Sequence, residues 1–132
     1  MLGWIVLAAV VALLGYVRMA PSDPARWHTA VEASESKDLE GGAIRVIKVA
    51  PDVLGQVHQA ALNLPRTSVL AGSVAEGRIT YVTRSKVMGF PDYTTVEQSG
   101  ETLKMYARLR FGKSDMGVNA KRLERLVAAA KT

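Results

Sequence analysis

Residues Glu101 to Phe111 carry the cleanest period-two pattern in the chain. Leu103, Met105, Ala107, Leu109 and Phe111 fall on one side of an extended segment, and Lys104, Tyr106, Arg108 and Arg110 on the other. Successive strand residues point to opposite faces of a sheet. A strand here has one apolar face that must be covered and one cationic face that is expected to be wet or to line something charged. An antiparallel sheet hidden on one side by helices meets both demands, which makes the fold class α+β.

The rest of the C-terminal part fits that class. β-Branched residues mark a strand at Ile44 to Val49. Pro51 suits the first position of a helix, with Asp52 beside its positive end. Val53, Leu54, Val57 and Ala61 recur at helical steps until Asn63 and Pro65. Further strands are expected at Thr67–Ser73, Arg78–Ser85 and Asp92–Gln98, and Ser99-Gly100 turns into the Glu101–Phe111 strand. A final amphipathic helix buries Leu123, Leu126, Val127 and Ala130. Its expected N-cap is Asn119, with Val118 and Leu123 in the staple relation. The predicted order is β-α-β-β-β-β-α: two layers, a curved five-stranded antiparallel sheet and two helices. That order is similar to the TATA-binding-protein-like and helix-grip folds, a likeness of topology that implies no activity.

Ahead of this domain lies an uncharged apolar run, Leu2 to Val17, with Trp4 and Tyr16 near its ends. It is read as an uncleaved single membrane span over residues 1–19. No Lys or Arg precedes it, and a cut after Ala20 would put Arg18 at −3 and Pro21 at +1, a poor processing site. Arg18 and Arg26 behind the span bias the head toward the cytoplasmic side, too weakly to fix it. Residues 20–42 are expected to be a tether, since Pro21 and Pro24 stop the helix and Glu32 to Gly42 is polar. Trp27 stands out there as a residue for packing on the domain or for the lipid interface. The domain proper is then 43–132. Its charge is one-sided: residues 77–132 hold 11 Lys/Arg against 5 Asp/Glu, and residues 1–76 hold 6 against 7.

The connection between the last strand and the last helix packs two glycines, a Ser-Asp pair, an Asn and several cations into Phe111–Arg122. A simple turn needs less polar chemistry. Together with Arg84-Ser85, Gly89-Phe90-Pro91-Asp92-Tyr93 and Arg108-Leu109-Arg110, the pattern Gly112-Lys113-Ser114-Asp115-Met116-Gly117-Val118-Asn119 followed by Arg122 resembles the bacterial and plastid family catalogued as domain of unknown function 1499. The resemblance spans about residues 40–130. It implies a small, often membrane-linked or exported domain and supplies no activity, cofactor or catalytic residue.

The polar residues admit two arrangements. Arg84, Arg108 and Arg110 can converge on the loop, where guanidiniums and the positive end of the helix would hold an anion together with Asp92, Ser114, Asp115, Asn119 and Arg122. Alternatively, Asp92 and Asp115 pair with those arginines and lock the turn to the sheet, the glycines serving positive-φ positions and Asn119 the helix cap. Common enzyme patterns are absent. There is no Cys, and His28 and His58 are the only histidines, so no metal or cofactor motif is present. Gly72–Arg78 lacks the Lys and Ser/Thr of a phosphate loop. Ser114-Asp115 has no neighbouring His for a triad, and nearby cations are expected to keep Asp92 and Asp115 ionised.

The leading expectation is a membrane-tethered, non-enzymatic binding module for an anionic or amphipathic ligand, with membrane lipids or a small anion as partner. On that reading Arg108→Ala and Arg110→Ala fold normally and lose binding to anionic liposomes. The alternatives are an envelope enzyme using Asp115 and Arg84, and an accessory interaction domain of an envelope complex. Nucleic acid, which would need Tyr81, Tyr93 and Tyr106 as stacking platforms, is disfavoured by the anchor.

Overall fold

The computed structural model describes residues 1–131. It is α+β, with six strands and four helices rather than five and two. Helix α1 (Leu2–Met19) is followed by the short α2 (Pro24–Trp27), strands β1 (Lys37–Leu39) and β2 (Gly42–Lys48), helix α3 (Leu54–Leu62), strands β3 (Thr67–Ser73), β4 (Arg78–Arg84), β5 (Pro91–Ser99) and β6 (Thr102–Leu109), and helix α4 (Val118–Ala130). All pairings are antiparallel and the sheet order is β1-β2-β6-β5-β4-β3. The additional strand β1 is three exposed residues on the sheet edge. With no buried face it has no alternation to read.

The core lies between the sheet and the pair α3 and α4. Ile79 and Tyr81 from β4, Val96 from β5, and Leu103, Met105 and Ala107 from β6 meet Val57, Leu123 and Leu126. At Gly42 the neighbouring strand β6 leaves no room for a side chain, because a Cβ there would sit 2.3 Å from the Ala107 carbonyl oxygen. Helix α3 starts three residues later than Pro51 suggests. Asp52 takes a positive φ of 62°, and the Leu54 N–H is capped by the Gln98 side chain at 2.9 Å. That cap comes from β5, so nothing local to the helix announces it.

The opposite face of the sheet is also covered. Residues 20–31, expected to be part of a tether, lie across it as a strap. Pro24 does not end structure there but opens α2 at its first turn, with the Asp23 carboxylate accepting from the Ala25 N–H at 3.0 Å. This presents Trp27 to the sheet, where it stacks on Tyr93 with ring centroids 4.0 Å apart and planes 13° from parallel. Trp27, Val82 and Tyr93 form a second small apolar cluster. The two-layer expectation therefore gains a partial third layer.

Candidate functional site

Strand register decides which charged residues can meet. Arg84, at the end of β4, stands opposite Pro91, and Arg108 on β6 opposite Tyr93. These positions point to the strap side, as do Arg110 and the stacked Tyr93. Asp92 stands opposite both Thr83 and Leu109, one residue out of phase, and points to the helix side. The sheet thus separates the three strand arginines from Asp92, Asn119 and Arg122. The single centre expected from their convergence with the glycine-bearing loop does not form.

On the strap side the arginines hold main chain. Arg108 is 9% exposed and donates to the Trp27 carbonyl at 2.6 Å, the Thr95 hydroxyl at 2.9 Å and the Tyr106 carbonyl at 3.0 Å. Its guanidinium carbon lies 4.7 Å from the centroid of the Tyr106 ring. Burial pulls its pKa down to about 10, against smaller opposing effects of Tyr106 and Tyr93. The Thr95 hydroxyl continues to Thr80 and then to His28 Nδ1, each link 2.8 Å. His28 is therefore packed, not free in a tether. Arg110 donates to the Pro21 carbonyl at 2.9 Å and to the Tyr93 hydroxyl at 3.2 Å. Arg84 donates to the Gly89 carbonyl at 2.9 Å and joins neither of the other two. Tyr81 and Tyr93 are fully buried, so neither can stack on a nucleobase.

On the helix side, Asp92 accepts from Asn119 Nδ2 at 3.2 Å and lies 3.6 Å from the Arg122 guanidinium. Arg122 also donates to Asn119 Oδ1. Asn119 is fully buried and does not cap the helix; the residue at the cap position is Gly117, with φ of 81°. Asp115 supplies the acceptors instead, taking the Gly117 N–H at 2.9 Å and the Asn119 N–H at 3.1 Å through its two carboxylate oxygens. Ser114 is exposed and only accepts from the Met116 N–H, at 3.3 Å. Cations were expected to favour ionised Asp92, but desolvation is the largest influence and raises its pKa. Arg122 and Asn119 pull the other way. With Asp115 engaged in the turn and Arg84 across the sheet, the pair named for an envelope enzyme does not share a site.

One concave surface on this side takes Arg122 of that group into its wall. Leu64, Pro65 and Arg66 from the α3–β3 turn, Thr83 from β4, and Val118, Lys121, Arg122 and Arg125 from α4 line a cleft of about 280 Å³. Arg66 reaches it with φ of 54° and its Nε bonded to the Arg84 carbonyl at 2.9 Å. Arg66, Lys121 and Arg125 were not anticipated as site residues. Lys121 and Arg125 read as the ordinary solvated side of an amphipathic helix, and nothing in the spacing brings Arg66 to them.

Residues 17–129 match the family described as a protein of unknown function (DUF1499). The chain belongs to that family. The match begins at Val17, well before the position where the signature motifs start, and so takes in the strap and the last turn of α1 along with the sheet. The family's Ser-Asp-x-Gly-x-Asn-x-x-Arg segment is here the helix-start lock made by Asp115, Asn119 and Arg122. A comparison with curated proteins finds no match.

Proposed function

We propose that this protein is a membrane-anchored, non-enzymatic module that binds an anionic or amphipathic ligand in the cleft between the α3–β3 turn and α4. The observation that carries the reading is the lining: four cations, Arg66, Lys121, Arg122 and Arg125, beside the apolar walls of Leu64, Pro65 and Val118. Two carboxylates lie close by, and both are engaged: Asp92 by Arg122 and Asn119, and Asp115 by the Gly117 and Asn119 N–H groups. Such a surface offers bidentate donors to a phosphate or carboxylate and apolar contact to its carrier.

Anchoring by α1 favours a lipid headgroup as the anion. This helix is 18 residues long, apolar and almost wholly exposed. At 1.5 Å per residue it spans roughly 27 Å, close to the hydrocarbon thickness of a bilayer. The cleft lies at the end of the sheet where β4 runs out at Arg84, the same end that touches the C-terminus of α1 through Arg18 and the 85–90 loop.

The test is binding of short-chain phosphatidylglycerol against short-chain phosphatidylcholine to the full chain in zwitterionic micelles. Lys121 and Arg125 are exposed, so Lys121→Glu with Arg125→Glu leaves the fold in place. The anionic lipid is expected to bind about tenfold more tightly than the zwitterionic one, and the double variant to lose that preference. Equal binding of both lipids by the unaltered chain contradicts the proposal.

A further inference from the structure

We infer that the 85–90 loop is a membrane-contacting element: it rests on the bilayer interface beside α1, with Val87 and Met88 inserted among the lipid headgroups and the head held end-on. The inference rests on reading α1 as a membrane span.

The loop is closed on itself. The Ser85 N–H donates to the Phe90 carbonyl at 3.0 Å, the Phe90 N–H to the Ser85 hydroxyl at 2.9 Å, and the Gly89 N–H to the Ser85 carbonyl at 3.2 Å. This presents Val87 and Met88 at the tip, 72% and 38% exposed, with Lys86 beside them. A short turn needs no apolar tip to form, and these side chains belong to neither apolar cluster of the head. The carbonyls behind them are not left bare. Arg18, in the last turn of α1, donates to the Val87 carbonyl through one terminal nitrogen and to the Met88 carbonyl through Nε at 3.3 Å.

That clamp sets the depth of the loop. In a spanning helix Arg18 stands at the end of the apolar run, where a cation sits at the headgroup level. Tyr16, one position of an interfacial aromatic belt, lies edge-on to Phe111 with centroids 6.4 Å apart, and Phe111 in turn faces Phe90 at 6.4 Å. Val17 is buried against the head, Leu14 and Gly15 are half-buried, and the helix before them is exposed. Arg110 and the Pro21 carbonyl close the junction from the strap side. No free linker separates α1 from the sheet, so the apolar tip, Lys86 and the aromatic contacts are carried to the boundary that the helix itself defines. An apolar tip with an adjacent cation suits an anionic lipid surface.

Because the chain has no cysteine, single-cysteine labelling is unambiguous. Val87→Cys, Val10→Cys and Glu101→Cys are labelled with a small fluorophore in the full chain. Each is placed in nanodiscs of phosphatidylcholine and phosphatidylglycerol containing lipid-borne nitroxides, either near the headgroup or deep in the tail. Glu101 is exposed beside the β5–β6 turn, at the other end of the sheet from the loop. The inference expects Val10 quenched by the deep nitroxide, Val87 by the shallow one, and Glu101 by neither. Val10 quenched with Val87 behaving like Glu101 overturns the loop contact and leaves the anchor intact. Quenching at both Val87 and Glu101 overturns the end-on placement. An unquenched Val10 overturns the anchor and this inference together.

Discussion

The Arg108 guanidinium donates to the main-chain oxygen of Trp27 at 2.6 Å, across 81 residues of sequence. One bond thereby ties the segment after α1 to the central strand of the sheet. It also changes what the alternating cations of β6 are for. Arg108 and Arg110 face a covered surface and saturate carbonyls of the strap, so their chemistry is structural.

Arg108→Ala is therefore expected to destabilise the fold by about 2–3 kcal/mol, since it leaves the Trp27 carbonyl and the Thr95 hydroxyl short of a donor in a buried place. Urea denaturation of the full chain in micelles reads this. A variant as stable as the parent that no longer binds anionic liposomes would restore the picture of a wet cationic face.

Trp27→Ala is expected to cost about 3 kcal/mol, the range for truncating a buried aromatic, because the strap loses its stack on Tyr93. Faster amide hydrogen exchange in β5 and β6 should accompany it. A loss below about 1 kcal/mol would mean that the strap is held by its hydrogen bonds alone.

Asp115→Ala removes both acceptors at the start of α4 and is expected to cost about 1 kcal/mol, as for loss of a helix cap. Asp115→Asn keeps one acceptor and should cost less. Thermal unfolding of the two variants checks the order, and a reversed order would count against the capping role.

Asp92 predicts a pH dependence. Its pKa is raised in the fold above the ordinary 3.8, so between those two values the folded state binds more protons than the unfolded one. Stability contributed by this residue therefore falls as pH rises through the folded pKa and is recovered on acidification. Relative to Asp92→Asn, the parent chain should gain stability as pH is lowered from neutrality toward 4. A carboxyl carbon titration of Asp92 with its midpoint at or below 3.8 contradicts this.

Much of the fold was legible because burial writes itself into periodicity. The alternation of β6 and the spacing of Leu123, Leu126 and Val127 each report a face packed on one core, whereas the β-branched runs of β2 and β4 report strands with side chains engaged on both faces, Ile79 in the main core and Val82 under the strap. The strap was less legible. Its polar composition and two prolines read as a linker, and only Trp27 signalled a partner. Charge on a strand does not say what covers it: Arg108 looks the same in sequence whether its donors meet water, a ligand or a carbonyl. The site had the same difficulty. Arg122, Asn119 and Asp92 were among the expected residues; register turns Asp92 to the helix side, where α4 brings Asn119 and Arg122 to it. Register also put Arg84, Arg108 and Arg110 on the other face, because neighbouring strand positions alternate. Arg66 was out of reach of any local pattern, since it arrives at the cleft through a turn with positive φ.

On the proposed function the ligand sits in the cationic cleft at the start of α4. Backbone amide shifts of the isotope-labelled full chain in zwitterionic micelles, titrated with short-chain phosphatidylglycerol, test it most directly. Saturable shifts are expected at Arg66, Thr83, Val118, Lys121 and Arg125, with the amides around Trp27 and Arg108 unmoved. Saturable shifts confined to the strap face, or none that saturate anywhere, would contradict it.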